Sequence, residues 1–130
     1  MQSRPDLIGM VDGVLGFMRS DALKNPGPHA AHHARISINA LELIKREVQL
    51  GSDADRDEHA RLHALLGVDG SLEALNRMLC ARIERGEIGL ESDALRDHLW
   101  RTTMSRVAID QPSYAGYRLA LEEGMPARRG

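Results

Sequence analysis

The sequence predicts an all-α fold, a single-domain helical bundle of about five helices arranged around a central second helix and closed by a short C-terminal segment. Three observations lead there. Apolar residues recur at three- and four-residue spacing along nearly the whole chain, and no stretch alternates with the period of two that a half-buried strand needs. Aromatic residues are only 3% of the chain, so the core must come from Leu, Ile, Val, Met and Ala, which suits helix-on-helix packing better than a sheet. Glycine, proline and serine punctuate the periodic stretches where helices stop and start.

The first predicted helix runs from about Pro5 to Ser20, with Pro5 in its first turn and Asp6 matching the helix dipole. Leu7, Ile8, Val11, Val14, Leu15 and Met18 form its apolar face. Asn25-Pro26-Gly27-Pro28 breaks the chain, and Pro28 fits the first position of a second helix. That helix should reach about Leu50 and stop at Gly51. A third, about Asp53 to Leu66, should end at Gly67 in the same way. Ser71 caps a fourth helix carrying Leu72, Leu75, Leu79 and Ile83, which ends at Gly86. Ser92 caps a fifth, with Leu95, Leu99, Thr103 and Val107, ending near Asp110 because Pro112 cannot continue it. Ile88 and Leu90 are expected to tuck over the bundle edge. Residues 1–118 thus form the helical domain. Residues 119–130 hold one further turn, Leu119-Ala120-Leu121, and read as a frayed tail.

Length and charge bound the function classes. At 130 residues the chain fits one domain and can bury roughly two thirds of its unfolded surface. Lys and Arg number 17 against 19 Asp and Glu, for a net charge of −2, so no basic field invites nucleic acid or anionic lipid. The apolar runs are far shorter than the ~20 residues of a membrane span, and no signal peptide is recognisable. Cys80 is the single cysteine, which excludes an internal disulfide and fits the cytoplasm.

Polar residues falling on apolar helix faces are the informative ones. The second predicted helix is apolar around most of its circumference, with Ile36, Ala40, Leu43 and Ile44 on one face and Leu41 and Val48 extending it. His29 and His33 lie on the side of Ile36 and Ala40 and are expected to point inward. Arg35 and Asn39 belong to the narrow polar strip. Asn76 falls between Leu72 and Ile83, with Cys80 bordering it, and Arg106 and Asp110 fall four residues apart on the side of Leu95 and Leu99. These residues form either a satisfied network that fixes helix register, the favoured reading, or a small-molecule site between predicted helices two, four and five.

Other chemistry is poorly supported. His29, His32 and His33, with the i, i+4 pair His59 and His63, could offer imidazoles to a metal, but no carboxylate follows in a zinc-enzyme pattern, and no metal or other cofactor is expected. Cys80 has no placed base and reads as a packing residue. Gly67-Val68-Asp69-Gly70-Ser71 lacks the lysine and spacing of a phosphate loop and reads as a tight turn. Gly9, Gly13 and Gly16 line the side of the first helix opposite Val11. They suggest a close neighbour there, either the segment around Tyr114 and Tyr117 or the first helix of a second copy in a homodimer.

Several strings carry a resemblance: His33-Ala34-Arg35-Ile36, Asn39-Ala40-Leu41, Arg46-Glu47, Leu75-Asn76-Arg77, Leu79-Cys80, Asp110-Gln111-Pro112-Ser113-Tyr114 and Tyr117-Arg118. From about Arg4 to Arg118 the chain resembles an uncharacterised family of small bacterial helical proteins, a domain of unknown function. It departs from that family's pattern at Gln111 and Ser113, where an Asp-Asn-Pro-Arg-Tyr run is expected. The resemblance implies a genomic setting beside aminoglycoside-phosphotransferase-like kinases and acyl-CoA dehydrogenases, and no activity of its own. It singles out His33, Arg35, Asn39, Asn76, Asp110 and Tyr114.

The function these readings favour is that of a non-catalytic accessory protein of such a kinase or dehydrogenase. The alternative is an anionic-ligand site in which Arg35 or Arg106 pairs the anion and Asn39, Asn76 and Tyr114 orient it.

Overall fold

A computed structural model describes residues 5–20 and 27–127 of the chain, and side chains from 8–19 and 27–127. The predicted break at Asn25-Pro26, the side chains of Asp6 and Leu7, and the last residues of the predicted tail lie outside these. Five helices are present and, among the described residues, no strand: α1 (Pro5–Ser20), α2 (Pro28–Leu66), α3 (Leu72–Glu84), α4 (Asp93–Asp110) and α5 (Ala115–Glu123). The chain divides into two compact units at Leu50–Gly51.

The count of five is reached differently from the sequence reading. Predicted helices two and three are one continuous helix, and the C-terminal turn is a full helix, α5. Gly51 does not stop α2 because a glycine terminates a helix by turning left-handed, and the positive-φ glycines are Gly67, Gly86 and Gly124. Helix-compatible residues come after Gly51 with no proline among them, so the helix absorbs the roughly 1 kcal/mol that a glycine costs it.

The first unit is a helical hairpin. Val11 and Leu15 are buried on α1 with Ile8 and Met18 half-buried beside them, a spacing of three and four residues that makes one seam. On α2 the matching seam is Ala31, Ala34, Ile38, Leu41 and Val48, of which Ala34 is buried and the rest half-buried. Two ion pairs, Arg19 with Glu42 and Lys45 with Asp12 at 2.7 Å, fix the antiparallel order, since the α2 partner number falls as the α1 number rises.

The second unit holds the main core. Leu62 and Leu66 of α2 pack with Leu75 and Leu79 of α3 and Leu95 of α4, and Leu65, Val68, Leu72, Met78 and Ile88 close around them. The predicted caps stand as read: the hydroxyls of Ser71 and Ser92 accept from the amides of Ala74 and Leu95. At the end of α3 the amide of Gly86 reaches the carbonyl of Ile83, and that of Glu87 reaches Arg82. This doubly bonded exit requires the positive φ of Gly86. Ile88 tucks onto the core as expected, but Leu90 is exposed.

Beyond Gln111, the amide of Tyr114 bonds the carbonyl of Gln111 and α5 begins. The C-terminal segment is held further on, where Arg96 on α4 donates to the carbonyl of Pro126 at 3.2 Å.

Candidate functional site

The buried stripe of α4 is Leu95, His98 and Ile109, with Thr102 half-buried between them. It is rotated from the Leu95–Leu99–Thr103–Val107 face read from the sequence, and Leu99 and Thr103 are exposed. The reason is chemical. A histidine inside an apolar stripe reads as surface, and the spacing from Leu95 to His98, Thr102 and Ile109 becomes visible only when it is counted as core.

His98 is the most deeply buried polar side chain among the described residues, at 3% exposure. Arg61 of α2 donates from Nε to Nδ1 of His98 at 3.3 Å and from Nη2 to Oγ1 of Thr102 at 3.1 Å. Accepting at Nδ1 leaves the imidazole proton on Nε2, the neutral tautomer. Burial, and secondarily the Arg61 charge, hold its pKa below the ordinary histidine value, against the opposing pull of Glu58 and Asp97. Next to this network, Asn76 of α3 donates to Glu58 Oε1 of α2 at 3.3 Å. Arg61, Ala64, Leu65, Ala94, Asp97 and His98 line a cavity of about 380 Å³. What these groups do chemically is tie α2, α3 and α4 together through a permanent cation, a neutral imidazole and a carboxylate.

The residues expected to form a site are divided between the two units. His33, Arg35 and Asn39 belong to the first unit and Asn76, Arg106, Asp110 and Tyr114 to the second. His29 and His33, read as pointing inward, are exposed, as are Arg35 and Asn39. The exposed apolar face of α2 carries the histidines outward with it. Asn76 is half-buried and Cys80 exposed, because Leu75 and Leu79 set the buried side of α3. Arg106 grips Asp110 through two bonds, at 3.1 and 2.8 Å, but on the exposed side of the rotated α4. Tyr114 is exposed and lies over the start of α5, its ring within 3 Å of where a side chain on Gly116 would begin.

The histidine pair of α2 proves to be a staple for the loop between α2 and α3. His59 Nε2 lies 2.8 Å from the carbonyl of Gly70, and His63 Nδ1 lies 3.0 Å from that of Val68 and 3.1 Å from Asp69 Oδ1. Both rings therefore donate to the Gly67–Ser71 turn. Among the described residues, no three His, Cys, Asp or Glu side chains converge as metal ligands. No helix of the described residues is long and apolar enough to cross a membrane.

Sequence comparison adds a family and nothing more specific, since no curated protein and no solved structure matches the chain. A family model described as a domain of unknown function, DUF6285, matches residues 24–114, which take in α2, α3, α4 and with them Arg61, Asn76 and His98. The chain belongs to the DUF6285 family.

Proposed function

We propose that the protein is a non-catalytic accessory protein that binds a partner enzyme, an aminoglycoside-phosphotransferase-like kinase or an acyl-CoA dehydrogenase. The observation that carries this reading is an open apolar groove of about 690 Å³ in the second unit. Leu99, Trp100 and Thr103 of α4 line it together with Leu90 and the Met125–Ala127 segment. Leu90 is 69% exposed and Leu99 39%, so the groove offers apolar surface to a side chain from another protein. Glu91 and Arg96 also line it, so two opposite charges stand beside the apolar surface. The kinase and dehydrogenase enter from the family resemblance alone. The test is co-purification of the tagged protein with each enzyme, repeated with Leu99→Asp. Retention that is lost in the variant is the expected result. Recovery of the protein alone, with no effect on either enzyme's rate, overturns the reading.

A second reading has one observation in its favour, the cavity beside Arg61, Asp97 and His98, whose size suits a small ligand. Arg61 would meet a phosphate or carboxylate there. Titration with inorganic phosphate and with coenzyme A, followed through the His98 ring resonances, tests it. Unmoved resonances remove it.

A further inference from the structure

We infer that the hairpin of the first unit self-associates, two copies stacking their apolar sides into a four-helix bundle. Each helix of the hairpin carries more apolar surface than its partner helix covers. On α1, Met10, Val14 and Phe17 form a second stripe about 110° around the helix from the Val11–Leu15 seam. On α2, Ile36, Ala40 and Ile44 lie away from the Ala34–Leu41 seam, with Leu43 and Leu50 behind them.

The antiparallel order decides which sides these stripes share. Two right-handed helices running oppositely present Asp12 and Arg19 of α1 and Glu42 and Arg46 of α2 on one broad side of the hairpin. The Arg19–Glu42 ion pair bridges that side. Met10, Val14 and Phe17 then fall on the opposite broad side, together with Ala40 and Ile44 and with Ile36 at its edge. Phe17 is 64% exposed, Met10 62%, Ile36 53% and Ile44 48%. On α2 that side carries Ser37 and Ala40 between Ile36 and Ile44, and its first formal charge is Glu47, one turn beyond Ile44.

A second copy is the occupant that matches this shape. The surface is two helices wide, and its complement is another two-helix layer, as in a four-helix bundle. A two-fold axis supplies that layer with the same composition. Met10, Val14, Phe17, Ile36 and Ile44 together offer about 500 Å² of exposed apolar surface per copy, at roughly 150–200 Å² for a large side chain fully exposed. In an interface a little more than half apolar, that corresponds to about 900 Å² per partner, close to the ~800 Å² of a standard interface. Need points the same way. Val11, Leu15 and Ala34 are the buried apolar side chains of the described part of this unit, and oligomerising is one of the ways a unit with so small a core gains stability.

The test uses the full chain alone, so its outcome is independent of any partner enzyme. Sedimentation equilibrium should give twice the 14.4 kDa chain mass, dissociating on dilution. Phe17→Asp and Ile44→Glu, each at an exposed position, should weaken association by about a hundredfold or more while leaving the circular dichroism helical. Hydrogen exchange on the unmodified chain should show protection of residues 8–19 and 33–50 rising with concentration. This arm decides the matter should a variant fail to fold. A monomer at every concentration, a variant that still dimerises, or protection of this side appearing only when a partner enzyme is added would each overturn the inference.

Discussion

Arg61 on α2 donates to Nδ1 of His98 on α4, the most deeply buried polar side chain among the described residues. A cation that donates to an imidazole can do so only while that nitrogen is unprotonated, so the contact is written for neutral His98. A pH dependence results. The folded pKa lies below the ordinary 6.5, so as pH falls through that value the unfolded chain takes up the proton first. Stability contributed by His98 is complete above pH 6.5, declines as pH falls below it, and levels off once the folded ring also protonates. Urea denaturation across that range should show this decline, and His98→Asn, which keeps an acceptor near the Nδ1 position, should flatten it.

Arg61 and Arg106 should respond differently to the same truncation. Arg106→Ala removes an exposed i, i+4 pair with Asp110 and should change stability by no more than about 0.5 kcal/mol. Arg61→Ala removes two bonds to α4 and leaves Nδ1 of His98 without its donor, at a cost of about 1–3 kcal/mol. Equal midpoints for the two variants in urea would contradict the placement of Arg61.

Asn76→Leu should destabilise the protein by about 1 kcal/mol even though it adds apolar surface to α3. The half-buried Glu58 carboxylate loses its amide donor, and charged groups deprived of a partner lose more than neutral ones. An unchanged thermal midpoint would mean that water replaces the amide at no cost.

Glycine to alanine should have opposite signs at two helical sites. Gly13 lies inside α1, where an added Cβ meets nothing within 4 Å, so Gly13→Ala should stabilise by up to about 1 kcal/mol. Gly86 sits at φ 73° in the exit of α3, so Gly86→Ala should destabilise by about 1 kcal/mol. Thermal unfolding of both variants checks the pair.

Local chemistry was legible in the sequence, and long-range choice was not. The all-α class, the start of α2 at Pro28, the serine caps at Ser71 and Ser92 and the stops at Gly67 and Gly86 were readable because each depends on residues within one turn of the chain. Gly51 shows the limit: a glycine permits a helix to end, and whether it does depends on the residues after it and on the surface the helix packs against. α4 shows the same limit for side chains. Leu95 could begin a stripe through Leu99 or through His98, and the donor that makes a buried histidine tolerable, Arg61, lies 37 residues away. The sequence by itself therefore determined which segments are helical and where most of them begin and end. Tertiary structure decided which side of each helix is buried, because that choice rests on partners distant in the chain. It is why Arg61 and His98 form the polar centre of the second unit while His33, Arg35 and Asn39 face outward.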